Sequence, residues 1–308
     1  MKLPSVVLAV FLTACSSDET PAGSDTSAGG GGGGGGAGGS PPAPTQTTFG
    51  GERPVELKVP SDYDHGSATP LLVLLHGYTA TGTIQNVYFG LEAPALERGF
   101  LYAYPDGTID AGSNHFWNAT DACCDFGKIG VDDSGYLRSV VDEIRSVYNV
   151  DDKRIFFMGH SNGSFMSYRM ACDHADIIAG IAGLAGAMWG DTSKCDPSEP
   201  VHVLHIHGDA DTTIVFDGGA TQTGAYPSAP DTVEHWADFN GCSATPSDGG
   251  TIDLDADLDG SETTVTRYDD GCSTSNELWT IQGGGHIPSI GEGFMPSVLD
   301  FMLAHPKP

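Results

Sequence analysis

The chain has 308 residues and a formal net charge of −28, from 41 acidic and 13 basic side chains. Without residues 1–48, which carry one basic and three acidic side chains, 12 basic and 38 acidic side chains remain, a net charge of −26. This charge argues against nucleic acid and anionic lipid as partners, because both are polyanions. The roughly 260 residues from Phe49 onward suit one domain with a single core.

Residues 1–14 are predicted to be an export signal. Lys2 precedes an apolar run, 6–12, that is too short to span a bilayer as a helix. The run ends in Leu-Thr-Ala-Cys, which resembles the lipobox of bacterial lipoproteins. That resemblance implies cleavage before Cys15, lipidation of its thiol, and an anchor made of acyl chains alone, at the outer membrane because Ser16 follows. An ordinary signal peptide is the alternative.

Residues 15–48 are predicted to be a disordered linker. They are mostly Ser, Thr, Asp, Pro and Gly, with an almost pure glycine run at 29–39. Such a segment has little apolar surface to bury and loses much entropy on ordering. The catalytic domain is therefore expected at 49–308, as a monomer on the end of this tether.

Six cysteines remain after Cys15, an even number that favours disulfides in an exported protein. Six cysteines allow 15 pairings. We expect the pairs that close short local loops, and no CxxC or histidine spacing supports a zinc site instead. The expected bridges are Cys172–Cys195, Cys242–Cys272 and a vicinal Cys123–Cys124.

Short apolar runs alternate with helical patterns from residue 71 to the C-terminus. Runs that are apolar throughout predict strands buried on both faces, as in a parallel sheet, and the alternation predicts an α/β fold. Asp132 or Asp133 is the predicted N-cap of the first such helix. The predicted strands are Leu71–Leu75, Phe100–Tyr104, Arg154–Met158, Val201–Ile206 and Glu277–Ile281, and the predicted helices contain Leu137–Val147, Phe165–Met170, Val233–Phe239 and Val298–Met302.

A G-x-S-x-G motif, residues 159–163, stands between a predicted strand and a predicted helix. In this context the glycines permit a sharp turn that exposes the serine oxygen above the sheet, which makes Ser161 the candidate nucleophile. The Asn162 N–H at the start of that helix is a candidate oxyanion donor. The Tyr78 N–H, in the loop after strand Leu71–Leu75, is the second.

A serine hydroxyl needs a base, and hydrolases with this motif order their partners as Ser, acid, His. Asp211 follows a predicted strand, at the edge of the sheet where open α/β folds hold their sites, and Asp209 is the alternative acid. His286 follows three glycines that give its loop freedom to reach the serine. We expect Ser161, Asp211 and His286 to form a catalytic triad.

Taken in order, these motifs resemble secreted polyhydroxybutyrate depolymerases and their feruloyl-esterase relatives. The strings that carry the resemblance are LLVLLHGY at 71–78, SNG at 161–163 followed by YRMAC at 168–172, HGDAD at 207–211 and GGGH at 283–286, and the match runs from about Val55 to Phe301. The resemblance implies an α/β-hydrolase fold, hydrolysis of carboxylic esters without a cofactor, and the same three triad residues.

Two features depart from that family. Its members often carry Trp-Pro shortly after the catalytic histidine, where this chain has Ile287-Pro288-Ser289. The wall of the substrate cleft that this segment forms in the family is therefore expected to differ here. An acidic stretch at 253–260 begins like a calcium loop, but Thr266 stands where a glutamate ligand should be. Asp255, Asp257 and Asp259 are thus calcium candidates, with a solvated loop as the alternative.

The substrate is predicted less sharply than the chemistry. The motifs favour a hydroxyalkanoate polyester or its oligomers, with a feruloyl or acetyl-xylan ester of plant polysaccharide as the alternative. Trp117 and Trp189 are expected either to line the substrate cleft or to lie in the core. Rival functions are a peptidase with the same triad and a tethered calcium-binding adhesion module, which would not explain the ordered motifs.

Overall fold

The computed structural model describes residues 44–243 and 245–308. The predicted signal 1–14, Cys15 and most of the predicted linker lie outside the described residues. The end of that linker is part of the domain: the Tyr148 hydroxyl donates to the Gln46 carbonyl (2.8 Å) and the Leu57 N–H to the Thr47 carbonyl (2.7 Å). The domain therefore begins a few residues before Phe49. No helix in the described part is long and apolar enough to cross a membrane.

Fourteen strands and six α-helices are found in the described residues. The strands are β1 (Thr48–Phe49), β2 (Val55–Lys58), β3 (Thr69–Leu75), β4 (Leu101–Ala103), β5 (Thr108–Ile109), β6 (His115–Phe116), β7 (Val150–His160), β8 (Gly180–Leu184), β9 (His202–Gly208), β10 (Gly219–Ala220), β11 (Ala225–Tyr226), β12 (Ser247–Ile252), β13 (Thr263–Arg267) and β14 (Asn276–Ile281). The helices are α1 (Gly82–Phe89), α2 (Glu92–Glu97), α3 (Asp133–Val147), α4 (Asn162–Asp173), α5 (Ala229–Phe239) and α6 (Phe294–Ala304).

Ten of the strands form one sheet in the order β1-β2-β4-β3-β7-β8-β9-β14-β13-β12. The six central strands, from β4 to β14, are parallel. The edge strands β1, β2, β12 and β13 are antiparallel. Strand β9 is buried along its whole length, as expected for a strand covered by helices on both faces. The predicted α/β architecture with a mostly parallel sheet is confirmed.

Helices cover both faces of the sheet, and strand β3 shows how the sequence divides between them. Leu71, Val73 and Leu75 belong to the core shared with α3 and α4, whereas Leu72 and Leu74 belong to the core shared with α1, α2 and α6. Alternate side chains of a strand point to opposite faces, so a continuous apolar run can build two layers of core.

Helix α3 begins where its cap was predicted. Asp132 is the N-cap, and its side chain accepts a hydrogen bond from the Gly135 N–H at 2.8 Å. Such a cap satisfies one of the helix's free N–H groups. Helices α1 and α2 and the edge strands were not predicted, because their sequences lack strong apolar periodicity; β12, for example, contains no fully buried residue.

All six cysteines of the domain form the three local bridges that were expected: Cys123–Cys124, Cys172–Cys195 and Cys242–Cys272. The second joins the end of α4 to the loop before β9. The third joins the end of α5 to the turn before β14, with its Cα atoms 4.8 Å apart.

Replacement of Cys242 and Cys272 together by Ala should lower the free energy of unfolding by about 3 kcal/mol. The bridge closes a loop across a sequence separation of 30 residues and so restricts the conformational entropy of the unfolded chain. The unfolded chain regains this entropy when the bridge is removed. Urea unfolding under non-reducing conditions measures the difference. Ser273→Ala, an exposed change in the same turn, is the control. Equal unfolding of the double variant and the control would contradict the prediction.

Candidate active site

Ser161 stands at a sharp turn between β7 and α4. Its backbone has φ 53° and ψ −119°, a conformation that non-glycine residues rarely adopt. A Cβ at Gly163 would lie 2.1 Å from the Leu75 carbonyl oxygen, and a Cβ at Gly159 would lie 2.2 Å from the Gly163 carbonyl carbon. Both positions must therefore be glycine for the strand, the turn and the helix to pack this closely.

The turn brings Ser161 next to a histidine from the loop after β14, three strands away at the same edge of the sheet. His286 lies in the loop after β14, and its Nε2 is 3.0 Å from the Ser161 Oγ. Its backbone carbonyl accepts a hydrogen bond from the His160 ring (2.9 Å), which holds the loop against the serine turn. The imidazole thus has a fixed position relative to the hydroxyl.

The other nitrogen of His286 meets a buried carboxylate. Its Nδ1 is 2.7 Å from the Asp211 Oδ2, and the Asp211 side chain has no exposed surface. The other oxygen of Asp211 accepts the N–H groups of Thr213 (2.7 Å) and Ile214 (3.0 Å). The structure therefore brings Ser161, His286 and Asp211 into one hydrogen-bonded chain.

Asp209, the alternative acid, lies elsewhere. Its Oδ1 accepts the Gly283 N–H at 2.6 Å, at the start of the loop that carries His286. Asp209 is exposed, whereas Asp211 is buried behind the imidazole. The geometry places Asp211, not Asp209, on His286.

A second histidine contacts Asp211, and the sequence argument did not find it. The Nε2 of His207 is 3.3 Å from the Asp211 Oδ2 and 2.7 Å from the Ile214 carbonyl. Behind it, His205 Nε2 lies 3.1 Å from His207 Nδ1, and the Tyr168 hydroxyl lies 2.8 Å from His205 Nδ1. Since the Ile214 carbonyl can only accept, His207 donates through its Nε2, and its Nδ1 is left to pair with the His205 ring. The signal was available in the alternation of His205 and His207 along one buried strand.

This row of donors affects the charge of the carboxylate. Burial raises the pKa of Asp211, but hydrogen bonds from His207, His286 and the Thr213 N–H outweigh that effect and hold it well below its usual range. Asp211 is therefore ionised at any pH near neutrality, as a group that orients an imidazole and balances its charge must be.

The loop after β3 supplies a backbone donor near the serine. An added Cβ on Gly77 would lie 3.5 Å from the Ser161 Cβ, so this loop passes directly beside Ser161. The Gly77 N–H donates to the Gln85 side chain (3.0 Å), while within the described residues the Tyr78 N–H meets no protein acceptor. Asn162 is fixed by its amide, which binds the Trp117 N–H (2.7 Å) and carbonyl (2.9 Å).

Beside Ser161 and His286 is a cleft of about 290 Å³. Tyr78 and Tyr88 form two of its walls, and the Tyr88 hydroxyl donates to the Pro288 carbonyl at 2.7 Å. Ile84 and Ile287 stand at its rim and are 59 % and 66 % exposed. The cleft is thus mostly apolar, with polar groups concentrated at the serine.

Trp117 does not line this cleft. Its side chain is fully buried in the core, with its ring 5.0 Å from that of His76, because the Asn162 amide pins its backbone beneath α4. The prediction that it contacts substrate is wrong, and the core alternative holds. Trp189 is half-buried and lines a different cavity, beyond the loop 118–130.

In the described part of the chain, the carboxylates of the acidic stretch 253–260 do not come together as one group of possible metal ligands. The Asp255 Oδ1 accepts the N–H groups of Asp257 (3.0 Å) and Ser289 (3.2 Å), and Asp257 binds the Ser289 hydroxyl. Asp259 is exposed. The stretch therefore braces the loop that follows His286, and these three residues do not cluster as ligands.

One cluster of potential metal ligands is found in the described part, formed by His76, Asp106 and His115. Both ring nitrogens of His76 are already engaged, Nδ1 with the Gly77 carbonyl (2.8 Å) and Nε2 with the Gly107 N–H (2.8 Å). These bonds explain His76 as a structural support of the loop beside Ser161.

Comparison with known proteins identifies the family. The model of a family described as putative esterase matches residues 46–234, and the chain belongs to that family. The match includes Ser161 and Asp211 and ends before His286.

Two curated relatives cover most of the domain. Feruloyl esterase B of Piromyces equi is 28 % identical over 262 residues, 82 % of this chain and 46 % of the relative. Poly(3-hydroxyalkanoate) depolymerase C of Paucimonas lemoignei is 25 % identical over 277 residues, 81 % of this chain and 63 % of the relative. The chain spans about half the length of the first of these, and both confirm the predicted resemblance.

Solved structures agree on the fold. An acetyl xylan esterase from Aspergillus awamori has a TM-score of 0.57 at 16 % identity, covering 82 % of this chain and 94 % of that one. Esterase PE8 has a TM-score of 0.53 at 14 % identity, covering 81 % and 97 %. The fold is that of the α/β-hydrolases, as predicted.

Stability should fall between pH 6.5 and 4. Burial lowers the pKa of His76, His160 and His202 to about 4 and that of His205 further. Because the unfolded chain protonates these rings near pH 6.5, it binds more protons than the folded chain below that pH. The free energy of unfolding should therefore drop by at least about 3 kcal/mol between pH 6.5 and 4.

Urea unfolding at a series of pH values measures this loss. His202→Gln, which alters the end of the sheet away from Ser161, should reduce the slope by up to one proton. A free energy of unfolding that stays constant over the interval would contradict the assignment of neutral buried histidines.

Proposed function

We propose that this chain is an exported serine hydrolase of carboxylic esters, with Ser161 as nucleophile, His286 as base and Asp211 as acid. The observation that carries the proposal is the hydrogen-bonded chain from Ser161 Oγ through His286 to Asp211, at 3.0 and 2.7 Å. The esterase family of the chain supports the reaction class. Three disulfides and the signal-like N-terminus support export, with Cys15 as the proposed lipid anchor.

Acyl transfer takes two steps in this arrangement. His286 accepts the proton of Ser161 as the oxygen attacks the ester carbonyl, and then donates it to the leaving alcohol. Water, activated by the same imidazole, releases the acid from the acyl-enzyme. Asp211 keeps the Nδ1–H tautomer in place and stabilises the imidazolium that forms in each step.

The oxyanion of each tetrahedral intermediate needs donors that are already in place. We assign these to the Tyr78 and Asn162 N–H groups. The glycine-rich turn and the loop after β3 bring both residues beside Ser161, and the Asn162 amide is held by Trp117. Loss of one such donor costs about 3 kcal/mol of transition-state stabilisation.

Two substrate classes fit the cleft at Ser161, and one structural observation favours each of them. Tyr78 and Tyr88 in the cleft favour an aromatic acyl group, a hydroxycinnamoyl group such as the feruloyl group named in several relatives. The exposed Ile84 and Ile287 at the rim favour an apolar polyester of hydroxyalkanoate units, as named in one relative. We place the hydroxycinnamoyl ester first, because the tyrosines contact the space beside the serine and the isoleucines lie at its mouth.

Two aspartates that are two positions apart, Asp209 and Asp211, give a test of the triad. Asp211→Asn should lower kcat by about 10³–10⁴-fold, because the amide no longer fixes the imidazole tautomer. Asp209→Asn keeps a side-chain oxygen that can accept the Gly283 N–H and loses only the charge of that acceptor, so it should cost far less. Hydrolysis of a small acetate ester measures both, with Ser161→Ala as the inactive reference. A larger loss in Asp209→Asn would overturn the assignment of the acid.

The substrate order can be tested by measuring kcat/KM of the full chain on methyl ferulate and on a 3-hydroxybutyrate trimer. We expect the larger value on ferulate, because its ring can contact both tyrosines. Tyr88→Leu keeps an apolar wall of similar size and should lower the ferulate value more than the trimer value. A larger value on the trimer would instead place polyester first.

A further inference from the structure

A cavity larger than the cleft at Ser161 lies beside α4. It has a volume of about 760 Å³ and lies between the loop 118–130, the outer half of α4, the loop 189–191 and the loop 223–225. None of the triad residues lines it. Arg169, on its floor, follows Ser161 by eight residues on α4, about 12 Å along the helix axis.

Covalent and ionic links brace the walls of this cavity. The Cys172–Cys195 bridge ties α4 to the segment after Trp189, and Cys123–Cys124 lies within the opposite loop. The Arg169 guanidinium donates to the Asn118 carbonyl (3.0 Å), and Lys194 pairs with Asp121 across the two loops. A cavity held in this way exists before any ligand arrives, which lowers the entropy cost of binding.

Trp189 gives the cavity one apolar face. Its indole N–H is covered by protein and has no partner in the described part, so the exposed portion of the side chain is its carbon framework. The Arg169 guanidinium lies 5.7 Å and the Lys194 ammonium 5.5 Å from the ring centre, which fixes the ring at the junction of the two loops. A flat carbon surface beside polar groups suits a ligand with both C–H faces and hydroxyls.

The polar lining carries both signs of charge. Asp121, Asp125 and Asp191 supply carboxylate acceptors, and Lys128 and Arg169 supply donors. An apolar polyester segment would remove water from these groups and give no hydrogen bonds in return, which costs free energy. A polyanion would be repelled by the acidic domain. A neutral polyhydroxylated ligand satisfies both donors and acceptors.

From this lining we infer that the cavity is an oligosaccharide-binding site. It takes one or more neutral sugar units, with one sugar face on Trp189 and hydroxyls donating to Asp121 and Asp191. On the proposed function, on which this part rests, the sugar belongs to the alcohol side of the ester substrate and is held remote from the bond that Ser161 cleaves. Sugar binding itself does not require Ser161.

Isothermal titration of the full chain carrying Ser161→Ala tests the site without turnover. The probes are ester-free xylo-oligosaccharides and arabinoxylo-oligosaccharides, with a 3-hydroxybutyrate trimer as the apolar comparator. We expect an oligosaccharide to bind, Trp189→Ala to weaken the association constant at least tenfold, and Asp121→Asn to weaken it several-fold.

Asp152→Asn is the matched control for Asp121→Asn. Asp152 also pairs with a cation on the surface, Arg145 at 2.8 Å. It lies near the start of β7, beside the last turn of α3, and does not line the cavity. It should leave the sugar affinity unchanged.

The outcomes separate the two proposals. Absence of sugar binding, equal binding by the Trp189 variant, or competition by the trimer for the same site would overturn the oligosaccharide site, whatever esters the active chain hydrolyses. Sugar binding that depends on Trp189, in a chain whose native form cleaves no ester, would support the site and overturn the proposed function instead.

Discussion

The close approach of β3, β7 and α4 at the carboxyl edge of the sheet is the constraint on which the rest of the site depends. Gly163 lies so near the Leu75 carbonyl that no Cβ fits between them, and Ser161 takes a positive φ in consequence. The cost of that backbone conformation is offset by the surrounding packing: the Ser161 N–H is bonded to the Leu184 carbonyl at 2.8 Å, and the Asn162 amide is locked on Trp117. The strained turn is therefore held rigidly, and its hydroxyl points where His286 can reach it.

Long-range connections complete the site from segments far apart in sequence. His286 reaches Ser161 from a loop braced on three sides, by the His160 ring, by Asp209 and by the acidic stretch around Asp255. The acidic stretch thus has a positioning role, because carboxylates that accept backbone N–H groups hold a loop without any ion. Asp211 in turn is supported by a buried row of hydrogen-bonded side chains that begins at Tyr168 on α4. The helix that starts after Ser161 therefore also supports Asp211.

The two cavities described above differ in the chemistry of their linings. The cleft at Ser161 is small and mostly apolar, whereas the larger cavity beside Trp189 carries charges of both signs. A substrate with an apolar acyl part and a polar alcohol part would use both, and a uniform polyester would use the first alone. The disulfides reinforce the walls of the larger cavity, where the chain has long loops instead of regular structure.

Local patterns in the sequence were sufficient for five of the six parallel strands, all but β8, and for the cap at Asp132, the serine turn, the order of Ser161, Asp211 and His286, and the local pairing of cysteines. Each of these depends on residues close together in the chain or on a motif with one stable geometry. The sequence could not decide whether Trp117 faces substrate or core, and it favoured Asp211 as the partner of His286 while leaving Asp209 as an alternative. It also missed the edge strands and the role of the acidic stretch. Those outcomes depend on which surfaces come together across the sheet, and on hydrogen bonds between residues as far apart as Asp255 and Ser289, which only the tertiary structure brings into contact.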